Sequence, residues 1–432
     1  MSESQIFEAD LTWTGSRFEP SVQISTNKGV IDSVGRLGAE PTKRLSQKAV
    51  LPGMVNAHSH AFQRGLRGLG ERFPEGARAG AGDFWSWREA MYDLVATLDA
   101  RSFSITCKQA FSEMLAAGIT TVGEFHYIHH SRSALDYAFD EILLDAARQV
   151  GIRLVLLTAF YRTGAIGKDL NPAQQRFASK STSDYWEQID RLSSLIDPHN
   201  QSLGAAAHSI RAADLDEIIS LYGEASGRGL VFHMHLEEQR REIEESLDAY
   251  GRPPMAVLND SLAIGENFTA VHCTHTAPDD METFVTSGGN VCLCPITEAN
   301  LGDGIPAAAH ILGVSGNICI GSDSNSRISF TEELRWLEYV QRLVSERRGI
   351  LTDGEGNVAR KLFEVATANG ARSLGVKTGA IESGRHADLI AIDLNSPELY
   401  GWTPETLLDA FIFGTGNSVI TDVCVGGRWR EV

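Results

Sequence analysis

His58-Ser59-His60 follows the apolar run Ala49-Val50-Leu51-Pro52-Gly53-Met54-Val55, so two imidazoles leave the end of an expected strand on one face. Neutral imidazole is a favoured ligand for zinc and neighbouring first-row metals. Two imidazoles do not close a site, and further nitrogen or oxygen ligands must arrive from elsewhere in the chain. Cys292-Leu293-Cys294 is not the source: its alternation suits a buried strand, and no second cysteine pair exists to complete a thiolate site.

The elements that must position these residues are written as a repeat. From residue 50 to about 325 a short apolar or β-branched run is followed by a polar loop, a helical stretch and the next run. Eight such runs are read: 50–56, 119–125, 152–160, 202–210, 229–236, 268–275, 290–297 and 317–323. Helical spacing of apolar residues fills the intervals, as in 99–117, 135–150, 183–195, 214–227, 240–248 and 278–287. Strands alternating with helices imply a parallel sheet. Eight units predict a closed (β/α)8 barrel of the TIM type; a doubly wound sheet is the runner-up, without a Gly-x-Gly-x-x-Gly after the first run to support it. Residues 1–50 and 376–432 read instead as short alternating strands and turns, with Gly426-Gly427 as a hairpin turn, and predict one small β-sandwich built from both chain ends around a barrel of residues 51–375.

Barrels of this type work at the C-terminal ends of their strands. Polar residues collect there: His58 and His60 after the first run, His208 and Arg211 at the fourth, and His233, His235, Glu237 and Glu238 at the fifth. His272 and His275 end the sixth, Glu298 the seventh and Asp323 the eighth. Counting His126 beyond the second run, eight of thirteen histidines cluster in this way, more than structural use requires. The expected metal set is His58, His60, His235 and Asp323, with His235 preferred to the in-phase His233 because it lies nearer the strand end. A single divalent ion is expected, zinc first, with iron, manganese or nickel possible; Ala205-Ala206-Ala207-His208 offers no bridging ligand for a second. A divalent ion brings bound water to deprotonation near neutral pH, and Glu238 is the expected proton shuttle to a leaving group. His272 is expected to polarise the electrophile or steady the hydroxide, and Asp323 to accept the water's proton while holding the metal.

A formal charge of −18 excludes nucleic acid and anionic membrane as natural partners, and any anionic substrate must be gathered by a few local arginines. The N-terminus carries no basic stretch followed by an apolar core, no apolar run is long enough to span a membrane, and six scattered cysteines suit a reducing compartment, so a cytoplasmic protein is expected.

The strand-end set resembles that of the amidohydrolase superfamily in order and type. Within it the chain is similar to the formimidoylglutamate deiminase family, through His58-Ser59-His60-Ala61-Phe62-Gln63-Arg64, Phe84-Trp85-Ser86-Trp87-Arg88-Glu89, Glu124-Phe125-His126-Tyr127-Ile128-His129-His130, His208-Ser209-Ile210-Arg211 and Thr297-Glu298-Ala299-Asn300-Leu301-Gly302-Asp303-Gly304. The resemblance implies hydrolysis of the formimino C–N bond of a small dicarboxylate amidine, giving N-formyl-L-glutamate and ammonia in histidine degradation, by a homodimer. Arg88 and Arg211 are then the expected carboxylate anchors, because guanidinium can grip a carboxylate through two bonds, with Gln63, Tyr127 and His208 adding hydrogen bonds. One position departs from the family pattern: Asn325 stands where a histidine is typical, and with Arg327 it is expected to reshape the mouth toward a related formimino acid. Competing readings are a deaminase of a heterocyclic amine, for which the arginines are unsuited, and a binding barrel without catalysis, for which loss of a ligand or of Glu238 would be the mark.

Overall fold

The computed structural model describes residues 4–71, 82, 84–131 and 135–432. Its centre is a sheet of eight parallel strands: β1 (Met54–Ser59), β2 (Ile119–His126), β3 (Arg153–Phe160), β4 (Gln201–Ala207), β5 (Phe232–Leu236), β6 (Phe268–His272), β7 (Asn290–Leu293) and β8 (Asn317–Ile320). Consecutive strands pair in chain order from β1 to β8. The seam between β8 and β1 has no ladder, only a single parallel bridge between Ser59 and Asp323. There the His60 N–H donates to the Asp323 carbonyl at 2.9 Å and the Asp323 N–H to the His58 carbonyl at 3.0 Å. Such closure makes the fold a (β/α)8 barrel and rules out the doubly wound alternative.

Every residue of β1, β2 and β3 is buried, as expected of a parallel sheet covered on both faces. Helices supply the outer cover. Ala100–Ala116 begins with a reciprocal capping box in which Asp99 accepts from the Ser102 N–H, and it buries Phe103, Cys107, Phe111 and Met114. Phe103 stacks on Phe139 of the next helix, Ala138–Val150, with ring centroids 4.2 Å apart.

The first sequence run, read as one strand from Val50 to Asn56, is divided. Lys43–Pro52 pairs with Leu389–Asp393 outside the barrel, and β1 begins only at Met54. Gly53 is the break, because a Cβ there would lie 2.1 Å from Thr120 Oγ1. The two chain ends do combine, as one continuous mixed sheet. Its order is Arg428–Glu431, Ile420–Val425, Leu389–Asp393, Lys43–Pro52, Ser4–Trp13, Gln23–Asn27 and Val30–Gly35, with Phe18–Glu19 on the side of Ser4–Trp13. Gly426 and Gly427, with φ of 55° and 77°, form the expected hairpin turn, since both positions need the left-handed region.

Candidate active site

His58 and His60 extend from the end of β1 in phase, His235 lies near the end of β5, and Asp323 follows β8. These four bring one ligand atom each within 4.8 Å of one another, all buried. The imidazole Nε2 atoms form a triangle: His58 to His60 3.2 Å, His60 to His235 3.3 Å and His235 to His58 3.1 Å. Asp323 Oδ1 lies 3.5 Å from His58 Nε2 and 3.3 Å from His60 Nε2.

Which nitrogens carry hydrogen follows from their outer partners. His60 Nδ1 lies 2.8 Å from the Phe125 carbonyl and His235 Nδ1 lies 2.8 Å from the His208 carbonyl, and a carbonyl can only accept. Both Nδ1 atoms therefore carry the proton, and both Nε2 lone pairs point inward. Burial reinforces the neutral forms, holding His58 down to about 3 and moving His60 and His235 below the usual imidazole range. Burial pushes Asp323 upward, but the surrounding histidines more than offset this and keep its carboxyl below the ordinary range, hence ionised. Convergent lone pairs and a carboxylate repel one another unless a cation lies between them. The donor set fits one divalent ion of the zinc class.

Glu237 and Glu238, adjacent in sequence, part ways. Glu237 has φ 52° and its Oε1 accepts from the Met255 N–H at 2.8 Å, in the first turn of the helix Pro254–Ser261. Glu238 lines the central cavity with Oε1 3.8 Å from His272 Nε2, and burial raises its pKa. Both are buried, so neither is a solvated residue at a helix start. His272 stacks on His235 at 5.6 Å, with Nδ1 3.4 Å from Glu298 Oε1 and Nε2 3.8 Å from Asp323 Oδ2. Burial opposes charge on His272, yet Glu238, Glu298 and Asp323 together shift it upward.

Above the four ligands lies a cavity with His60, His235 and Asp323 in its wall. Each residue expected to hold substrate faces it: Gln63, Arg88, Tyr127, His208 and Arg211. Gln63 Nε2 donates to Tyr127 Oη at 2.7 Å, and burial keeps that phenol neutral. Arg88 donates from Nε to Tyr92 Oη at 2.7 Å and lies over the Trp85 and Tyr92 rings; no carboxylate among the described residues pairs with it. Arg211 is already half engaged, its Nε donating to Glu242 Oε2 at 2.8 Å, while Nη2 lies 4.0 Å from Glu238.

Asn325 and Arg327 do not line this cavity. Asn325 is fully buried against β1, and Arg327 projects outward to pair with Glu332. His126 likewise turns away to Asp140. Sequence reading missed two cavity phenols, Tyr92 and Tyr161. Both had a signal: Tyr92 lies one helical turn beyond Arg88, and Tyr161 directly follows β3.

With this geometry in view, the matches to known proteins are consistent. The Amidohydrolase family profile covers residues 49–430, and the chain belongs to that family. It is 40% identical over 397 residues to a formimidoylglutamate deiminase from Pseudomonas aeruginosa, spanning 90% of this chain and 86% of the relative. It is 27% identical over 405 residues to a 5-methylthioadenosine/S-adenosylhomocysteine deaminase from Haloarcula marismortui, spanning 91% and 84%. Among solved structures, an amidohydrolase from Brucella melitensis superposes with a TM-score of 0.88 at 32% identity, covering 99% of this chain and 94% of that one. An adenosine deaminase from Xanthomonas campestris with bound zinc shares the fold, with a TM-score of 0.81 at 23% identity over 99% and 92%.

Proposed function

We propose that this chain hydrolyses N-formimidoyl-L-glutamate to N-formyl-L-glutamate and ammonia, within histidine degradation. The observation that carries the reading is Arg88: a cation with no carboxylate partner among the described residues, set in the wall of the cavity that also holds the His58, His60, His235 and Asp323 cluster. On a chain of net charge −18, such a group suits an acidic substrate. The deiminase relative at 40% identity supports the same reaction.

His58, His60, His235 and Asp323 would hold one divalent ion, which we take to be zinc. When bound, it supplies the positive charge that acidifies water and polarises the amidine. Arg88 and Arg211 bind the two substrate carboxylates, and Gln63, Tyr127 and His208 orient the formimino group by hydrogen bonds. Glu238, raised by burial, takes a proton from the attacking water and returns it to the departing nitrogen. Oxygen bonds to the formimino carbon of the protonated amidine, the bond from that carbon to its terminal NH2 breaks as this nitrogen takes the proton from Glu238 and leaves as ammonia, and Asp323 receives the remaining hydroxyl proton as the formyl carbonyl forms. His272, with Nε2 directed at Glu238 and Asp323, steadies the charge that develops between them. We place the enzyme in the cytoplasm as a homodimer. Six free, buried thiols suit a reducing compartment, and no helix among the described residues is long and apolar enough to cross a membrane.

Ammonia release from formimidoyl-glutamate, formimidoyl-aspartate and 5-methylthioadenosine tests the assignment. Formimidoyl-glutamate should be turned over best. Glu238→Gln should lower kcat by about 10²–10⁴, and Arg88→Met should mainly raise KM. Preference for the nucleoside, or full activity in Glu238→Gln, would refute it.

A further inference from the structure

Three of the four converging ligands, His58, His60 and Asp323, come from β1 and the end of β8, the pair of neighbours in the barrel without a ladder. The seam is closed instead by buried side chains. Asn325, with no exposed surface, points its Nδ2 at Ser59 Oγ (3.1 Å), the His60 carbonyl (3.0 Å) and the Asp323 carbonyl (3.1 Å). Its Oδ1 accepts from Ser322 Oγ at 2.6 Å. Ser322 in turn accepts from Asn56 Nδ2 at 2.7 Å and donates its N–H to Asn56 Oδ1 at 3.0 Å. The amide thus joins the turn after β8 to the middle and the far end of the His-x-His segment, and the chain Asn56, Ser322, Asn325, Ser59 crosses the seam twice.

The backbone here is under demand as well. Asp323 and Asn325 have φ of 44° and 54°, a left-handed conformation that asparagine tolerates better than most residues and that persists only where surroundings hold it. Inward lone pairs on His60 and His235 add a repulsion that would spread the ligands in the metal-free chain. A buried polar network whose members are all paired is suited to resist both.

We propose that Asn325 is a positioning residue for the metal centre: its side-chain amide clasps β1 to the end of β8, so that His58, His60 and Asp323 meet a cation already in place. The proposal rests on the metal-centre reading above. It replaces a role at the substrate mouth, which a fully buried side chain cannot play.

The test is zinc affinity of the full, metal-stripped chain, measured by competition with a chromophoric chelator, for wild type, Asn325→Gly, Asn325→Ala and His58→Ala. Glycine accepts the left-handed backbone without the amide, whereas alanine loses both. Both Asn325 variants should bind zinc about 10- to 100-fold more weakly, the usual effect of removing a group that orients metal ligands. Wild-type affinity in Asn325→Gly, with affinity still lost in His58→Ala, would overturn the clasp and leave the metal centre standing. Zinc bound no better by wild type than by His58→Ala would overturn both. Should Asn325→Gly not fold, Ser322→Ala decides, because it removes only the hydroxyl between Asn56 and Asn325: a few-fold loss supports the clasp, and unchanged affinity refutes it.

Discussion

Two buried clusters in this barrel use the same residue types and do opposite things. His58, His60, His235 and Asp323 gather at the end of β1, β5 and β8; His126, His129 and Asp140 gather beside the end of β2. In the second, every close contact between the side chains joins a donor to an acceptor. His129 sets Nδ1 2.9 Å from Asp140 Oδ1 and Nε2 2.8 Å from the Ala159 carbonyl, so both nitrogens must carry hydrogen and the ring is an imidazolium. His126 Nε2 adds a contact of 3.0 Å to the same carboxylate oxygen, and Gln188 Nε2 donates to the other at 2.8 Å. In the first cluster outer carbonyls take the hydrogens of His60 and His235, and their inward lone pairs face one another. Composition and spacing do not separate a metal centre from a buried ion pair. The direction in which the outer groups pull the protons does.

The comparison breaks most visibly if the first cluster is altered. His58→Ala should reduce formimidoyl-glutamate turnover by more than about a thousandfold, the scale set by losing several kcal/mol of charge stabilisation, as read by ammonia release. It should cost the metal-free chain less stability than a change at Asp140, because His58 Nδ1 has no hydrogen-bond partner among the described residues to lose and its Nε2 faces the inward nitrogens of His60 and His235. Equal losses of stability would mean the first cluster, too, is satisfied by itself.

Asp140→Asn sharpens the contrast from the other side. It leaves the His129 cation buried without its counter-charge and should destabilise the fold by about 3–5 kcal/mol in chemical denaturation, while zinc affinity of the folded protein stays near wild type. The pH dependence has a definite sign. Burial opposes ionisation of Asp140, but His129 and His126 hold its carboxyl below the ordinary range, so its contribution is present above the unfolded value of about 4 and lost as pH falls through the folded one. Burial opposes charge on His129, but Asp140 raises its pKa, so its contribution is full below about 6.5 and fades as pH rises through the folded value. The stability gap between wild type and Asp140→Asn should therefore be widest between about pH 4 and 6.5 and narrow on both sides. A gap that grows steadily into alkali would contradict the ion pair.

Much of this was legible in the sequence because barrel strands announce themselves as apolar runs, and the side chains that converge on the cavity follow their C-terminal ends. That logic led to His58, His60, His235, Glu238, His272 and Asp323 without reference to contacts. It failed where the partner is backbone or far away in the chain. The Phe125 and His208 carbonyls that set the tautomers leave no trace in residue type. Glu242, which occupies one side of Arg211, and Ser59, which receives Asn325, are identifiable only once the strands are in place. The break at Gly53 escaped for a related reason: a run of apolar residues does not say that Thr120 comes too close for a side chain.

Anomalous scattering at the zinc edge from zinc-loaded crystals tests the central claim most directly. The account predicts one strong peak per chain, about 2.0–2.2 Å from His58, His60 and His235 Nε2 and from an Asp323 oxygen, with nothing at His126, His129 and Asp140. A peak at that second cluster, or no peak among the first four residues, would contradict it.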